Sequence, residues 1–156
     1  MEGSDMKKVA SVTIGAIAFL ASAAHAQPPD EYKFIPSSQQ KLVPDKSGFY
    51  AQVMLSRPKS GPAMITSRDK SGEAEAHAEW ADHIFVQEGA ATMILGGTIN
   101  QPRAVGPGET RGSGVSGGKS FAMHPGDYVY VPVNVAHRMV LSPGQSIRYA
   151  VVKVRP

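Results

Sequence analysis

Between Tyr50 and Val154 the apolar residues fall in short runs, several of them alternating with polar residues, and nearly every run is bounded by glycine or proline. Residues 50–55 (YAQVML) and 63–68 (AMITSR) are separated by Pro58, Gly61 and Pro62; residues 84–86 (IFV) close on Glu88-Gly89, and residues 91–95 (ATMIL) on Gly96-Gly97. Further runs follow at 119–123, 127–131, 136–141 and 146–154. On an extended strand successive side chains point to opposite faces, so these runs predict strands, and the intervening Gly and Pro predict turns. No segment carries a helical period. Several short strands at close spacing predict an all-β chain whose sheets close or pair to protect their edges. On pattern alone, sandwich, jelly roll and barrel all remain open.

The strictest alternation is EAEAHAEW, residues 73–80, with alanine on one face and Glu73, Glu75, His77 and Glu79 on the other. Such a polar face either looks at water or converges on a metal ion, and the alternation does not say which. Residues 102–118 (PRAVGPGETRGSGVSGG) are glycine-rich and too long for a tight hairpin, which predicts a mobile loop.

Composition narrows the class. A chain of 156 residues is long enough for one core, and 16 Gly and 12 Pro suit a turn-rich β domain better than a helical one. The net charge of +3 is small and its basic residues are scattered, so no footprint for nucleic acid is present. Cysteine is absent, which leaves His, Asp and Glu as the side chains able to hold a metal. At the N-terminus, Met6-Lys7-Lys8, an apolar run over 9–24 and Ala24-His25-Ala26 have the form of a signal peptide cleaved after Ala26. Residues 1–5 are then expected to be a mis-assigned start or a cloning scar. The alternative is an uncleaved membrane anchor, for which the run is short. The expected organisation is a signal peptide over 1–26, a polar N-terminal arm over 27–46 and a single β domain over 47–156. The mature protein is expected in the periplasm or outside the cell, without further membrane contact.

Four histidines lie beyond the signal segment: His77, His83, His124 and His137. The stretch from Pro125 to Arg138, PGDYVYVPVNVAHR, resembles the second signature of the cupin superfamily, with Gly126, Pro132 and His137 at the expected spacing. Asn134 stands where that family usually has glycine, and asparagine tolerates the left-handed backbone conformation better than most residues. The first signature, His-x-His, then an acid, then Gly, is matched from His77 to Gly89. His77 takes the first ligand place, Glu79 stands in for the second histidine, Asp82 is the acid and Gly89 closes the turn, with one residue fewer than usual between the second and third places. The resemblance implies a single jelly-roll β-barrel holding a divalent metal ion (Mn, Fe, Ni, Zn or Cu), bound by His77, Asp82 and His137, with Glu79 as a fourth ligand or catalytic base. It also implies a homodimer paired through outer sheets. Two His and one carboxylate form a facial set that leaves coordination positions open.

The remaining residues have plainer expectations. His83 points to the face opposite Asp82, and His124 faces solvent in a turn. Arg138 points outward, Ile84 and Val86 share the inward face of Asp82, and Phe85 packs. Trp80 is read as a lid over the barrel mouth, or else as simple cover for apolar surface. The function these readings favour is an exported metal-binding cupin acting on a small organic molecule, with an oxygenase-type reaction foremost among dioxygenase, isomerase, lyase and decarboxylase. The alternative is a non-catalytic periplasmic cupin that binds a small ligand or metal.

Overall fold

The structure, a computed structural model, describes residues 33–156 apart from Phe49, Pro58 and Ser60. The expected signal segment and its cleavage site after Ala26 lie outside the described residues. Of the arm, residues 33–46 are described: a 3-10 turn at Ser37–Gln39 and the short strand β1 (Val43–Pro44), which pairs antiparallel with β2 (Tyr50–Ser56).

The chain continues through β3 (Ala63–Arg68), β4 (Ala74–His77), β5 (Ala81–Gly89), β6 (Ala91–Leu95), β7 (Thr98–Asn100) and β8 (Arg103–Gly106). It ends with β9 (Glu109–Gly112), β10 (Gly114–Ser116), β11 (Lys119–Met123), β12 (Tyr128–Val131), β13 (His137–Val140) and β14 (Ile147–Val154). Two six-stranded sheets form, ordered β1-β2-β3-β14-β5-β12 and β11-β6-β13-β4-β9-β8, with β7 and β10 as a separate pair. All their pairings are antiparallel. The predicted all-β jelly roll is the fold observed.

Between the sheets lies an apolar core that includes Met64, Ile84, Met93, Met123, Val131 and Ile147. Alternation sorts β5 as expected: Asp82, Ile84 and Val86 face inward and are buried, while Phe85 is 46% exposed and packs on the outer face against Tyr128. Burying an apolar side chain of this size contributes roughly 1.5–3 kcal/mol, and that gain holds the inward phase of each strand in register.

The loop expected over 102–118 is instead structured. Gly106-Pro107-Gly108 makes the turn of a hairpin between β8 and β9, with Gly108 at φ +69, and β9 pairs in turn with β4. The glycines concentrate at turns, which is why composition suggested looseness. The partner that orders the hairpin, β4, is about thirty residues away in the chain and leaves no local signal.

Candidate metal centre

β4 carries Glu75 and His77 on its barrel-facing side, and β13 lies beside it with His137 opposite Glu75. Antiparallel pairing sets directly opposed residues about 5 Å apart, so this register alone brings the second histidine to the first strand's acid. The loop leading into β13 is pinned by Asn134, whose N–H donates to the His77 carbonyl at 2.7 Å while its φ is +62. Asp82 arrives from β5 in the other sheet. Its Oδ2 lies 3.3 Å from His77 Nε2 and 3.7 Å from His137 Nε2, and its Oδ1 accepts from Lys153 Nζ at 2.7 Å.

The two imidazoles present the same side to the cluster. His77 Nδ1 is 2.6 Å from Glu109 Oε2, and His137 Nδ1 is 3.0 Å from the Val135 carbonyl. A carboxylate and a carbonyl can only accept, so in both neutral rings the proton sits on Nδ1 and the Nε2 lone pair faces inward. Both Nε2 atoms are buried and without a hydrogen-bond partner, the Asp82 contact lacking the necessary geometry. Buried polar atoms are rarely left so. One donor atom from each of Glu75, His77 and His137 lies within 4.8 Å of the others, and the rings meet edge to face at 5.1 Å between centroids. Two imidazole lone pairs with a carboxylate are the donor set of a borderline divalent metal. The outward Nδ1 bonds fix the ring orientation in the way metal-binding histidines usually require. The residues fit a metal.

Charges around the cluster are matched. Glu75 Oε2 is 2.6 Å from Arg111 Nη1. Burial works to raise the Glu75 pKa, but His137 and Arg111 outweigh it and hold the carboxyl below its ordinary range. Burial likewise opposes charge on Asp82, and neighbouring His77 and Lys153 bring it below its usual value. For His77, burial and Lys153 disfavour the protonated ring, yet Asp82 and Glu75 prevail and the pKa is raised.

The sequence-predicted residues divide accordingly. His77, Asp82 and His137 are brought together. Glu79 is not: β4 ends at His77, the chain bends at Ala78 and Glu79, and the Glu79 carboxylate, 53% exposed, pairs with Arg155 at 2.6 Å. Extrapolating the two-residue period past the strand end produced the error. The residue two before His77, not two after, shares its face. With Glu75 in the first place of the motif and His77 in the second, the gap to Asp82 is no longer short. Trp80 does not line the main cavity; its ring lies under the Arg155 guanidinium, 4.4 Å from centroid to Cζ. His83 bonds Tyr128 Oη on the outer face, His124 is exposed, and Arg138 donates to the Gly72 carbonyl. Sequence reasoning missed Glu109, Arg111 and Lys153. Lys153 had a signal, since it continues the inward phase of Ile147, Tyr149 and Val151, an otherwise apolar face of its strand; Glu109 and Arg111 had none.

Above the cluster opens a cavity of about 610 Å3, lined by Glu75, Asp82, His137 and Lys153 together with apolar residues such as Met64 and Met93. Its volume is in the range of small-molecule sites.

No protein-family model and no curated protein sequence matches this chain. Solved structures do match. The polyketide cyclase RemF from Streptomyces resistomycificus superposes with TM-score 0.56 at 19% identity over 81% of this chain and 82% of its own. A Klebsiella pneumoniae protein with a double-stranded β-helix domain gives TM-score 0.57 at 12% identity, over 80% of this chain and 91% of its own. The Fe(II) form of HppE gives TM-score 0.57 at 16% identity, over 80% of this chain and 60% of the other. The chain shares the double-stranded β-helix fold.

Proposed function

We propose that this protein is an exported, metal-dependent cupin that acts on a small organic molecule held in the barrel cavity. The observation that carries the reading is the pair of buried, unpartnered imidazole nitrogens of His77 and His137 gathered with the Glu75 carboxylate, Glu75 and His137 also lining that cavity. Glu75, His77 and His137 would hold a divalent ion, with Asp82 beside them. The bound ion would supply Lewis-acid or dioxygen chemistry, and an oxygenase-type reaction is the class we favour because the facial set leaves positions open. Glu109 and the Val135 carbonyl keep both rings aimed, and Lys153, hydrogen-bonded to Asp82, is placed to hold a proton at the cavity wall. The base role expected of Glu79 is not kept. Export rests on the form of residues 6–26, and a homodimer on the cupin resemblance.

A second reading, a non-catalytic binding module, has an observation in its favour. Arg111 and Lys153 already neutralise Glu75 and Asp82, so the cluster is charge-balanced without a metal. Elemental analysis of protein purified from its own compartment separates the two. The metal reading expects about one divalent ion per chain in the native protein and its loss in His137→Ala; equal metal in both would overturn it.

A further inference from the structure

The inward face of β3, Met64, Thr66 and Arg68, lines the same cavity, as do Tyr149, Val151 and Lys153 of β14. β14 pairs with β3 so that Tyr149 opposes Thr66 and Ile147 opposes Arg68. Lys153, at the metal cluster, is therefore six residues along the ladder from the position facing Arg68. The cavity has two polar ends, with an apolar wall between them that includes Met64 and Val151.

Arg68 differs from the two cations at the metal cluster, Arg111 and Lys153. Arg111 is paired with Glu75 and Lys153 with Asp82, but among the described residues Arg68 forms no ion pair, and its Nε is buried without a hydrogen-bond partner. Its place is built. Its Cζ lies 5.1 Å from the Tyr50 ring centroid, and the guanidinium packs over Gly72, where a Cβ would come within 2.0 Å of Nη1. Tyr149, buried on the adjacent strand, interacts with it through its phenol. A buried guanidinium nitrogen without a partner is costly, and the planar fork of arginine matches a carboxylate in two parallel hydrogen bonds.

We propose that the cavity selects a small organic anion, a carboxylate on a largely apolar body, with its carboxylate on Arg68 and its other end toward Glu75, His77 and His137. This deepens the reading of the barrel as a small-molecule site and names the chemistry it accepts. Burial pushes the Tyr149 phenol up to about 12, so it remains a neutral donor beside the anion.

Benzoate and its neutral isostere benzamide are suitable probes, titrated calorimetrically into chelator-treated protein so that no metal competes for the carboxylate. Benzoate should bind at least about tenfold tighter than benzamide, as a charge-assisted hydrogen-bonded pair implies. Arg68→Gln should erase that preference, and Arg68→Lys, which keeps the charge without the fork, should retain part of it. Equal binding of the two probes by the wild type, or a preference that survives in Arg68→Gln, would overturn the proposal. The wild-type comparison decides even if a variant fails to fold. The metal reading is judged separately. Metal-poor native protein with an Arg68-dependent benzoate preference would sink the metal site alone, whereas metal-replete protein without that preference would sink this proposal alone.

Discussion

At the scale of single residues, Glu75 and Glu79 are the informative pair, because they flank His77 symmetrically in sequence and lie in different environments in space. Glu75 touches Arg111 and lies 3.5 Å from His137 Nε2, while Glu79 pairs with Arg155 at the exposed end of the chain. An exposed ion pair of that kind contributes little to stability. Glu79→Gln should therefore leave metal content unchanged, whereas Glu75→Gln should weaken metal binding by at least about tenfold, as loss of a ligand or its close partner usually does. Competition with a colorimetric chelator measures both. Equal weakening by the two variants would restore the role the sequence alone assigned to Glu79. Alternation was legible in EAEAHAEW, but where the strand stops was not, because that depends on Ala78 donating to the Gly108 carbonyl, a contact made across 30 residues of chain.

Among the elements, the turn before β13 and the β8–β9 hairpin position the most chemistry. Asn134 satisfies the His77 carbonyl from a left-handed conformation, tying the end of β4 to the start of β13. Replacing it with alanine, which resists that conformation, should cost about 1–2 kcal/mol, and replacing it with glycine should be nearly neutral. Urea unfolding reads the difference; an alanine variant as stable as the glycine one would mean that the turn relaxes out of the left-handed region. The asparagine's tolerance was visible in sequence, since the cupin pattern marks that position. The hairpin was not. It contributes Glu109 to His77 and Arg111 to Glu75, and both contacts follow from β9 pairing with β4.

For the molecule as a whole, the charge cluster sets how stability responds to pH. Glu75 and Asp82 are held below the ordinary carboxylate values of 4.5 and 3.8, so the stability they contribute is present above those values and is lost as pH falls through their folded pKa values. His77 is raised above 6.5, so its contribution is full below that pH and is lost as pH rises through its folded pKa. Metal-free protein should accordingly melt highest between about pH 5 and 6.5 and lose stability as pH rises through the folded His77 pKa. Added metal needs the deprotonated ring, so the stabilisation it confers should grow over the same rise. Thermal melts with chelator and with zinc across pH 5–8 test this, and a metal-induced shift independent of pH would place binding away from His77. What sequence alone determined is what period and spacing encode: the alternation that makes strands, the glycine and proline that part them, and the Gly126, Pro132 and His137 spacing that resembles a cupin signature. What only the tertiary structure decided is which acids join the histidines and that Arg68, among the described residues, reaches the cavity wall without an ion pair. Those depend on β4, β5, β9, β13 and β14 meeting inside the barrel, and pairing between strands far apart in the chain is a property of the closed sheets that no local stretch carries.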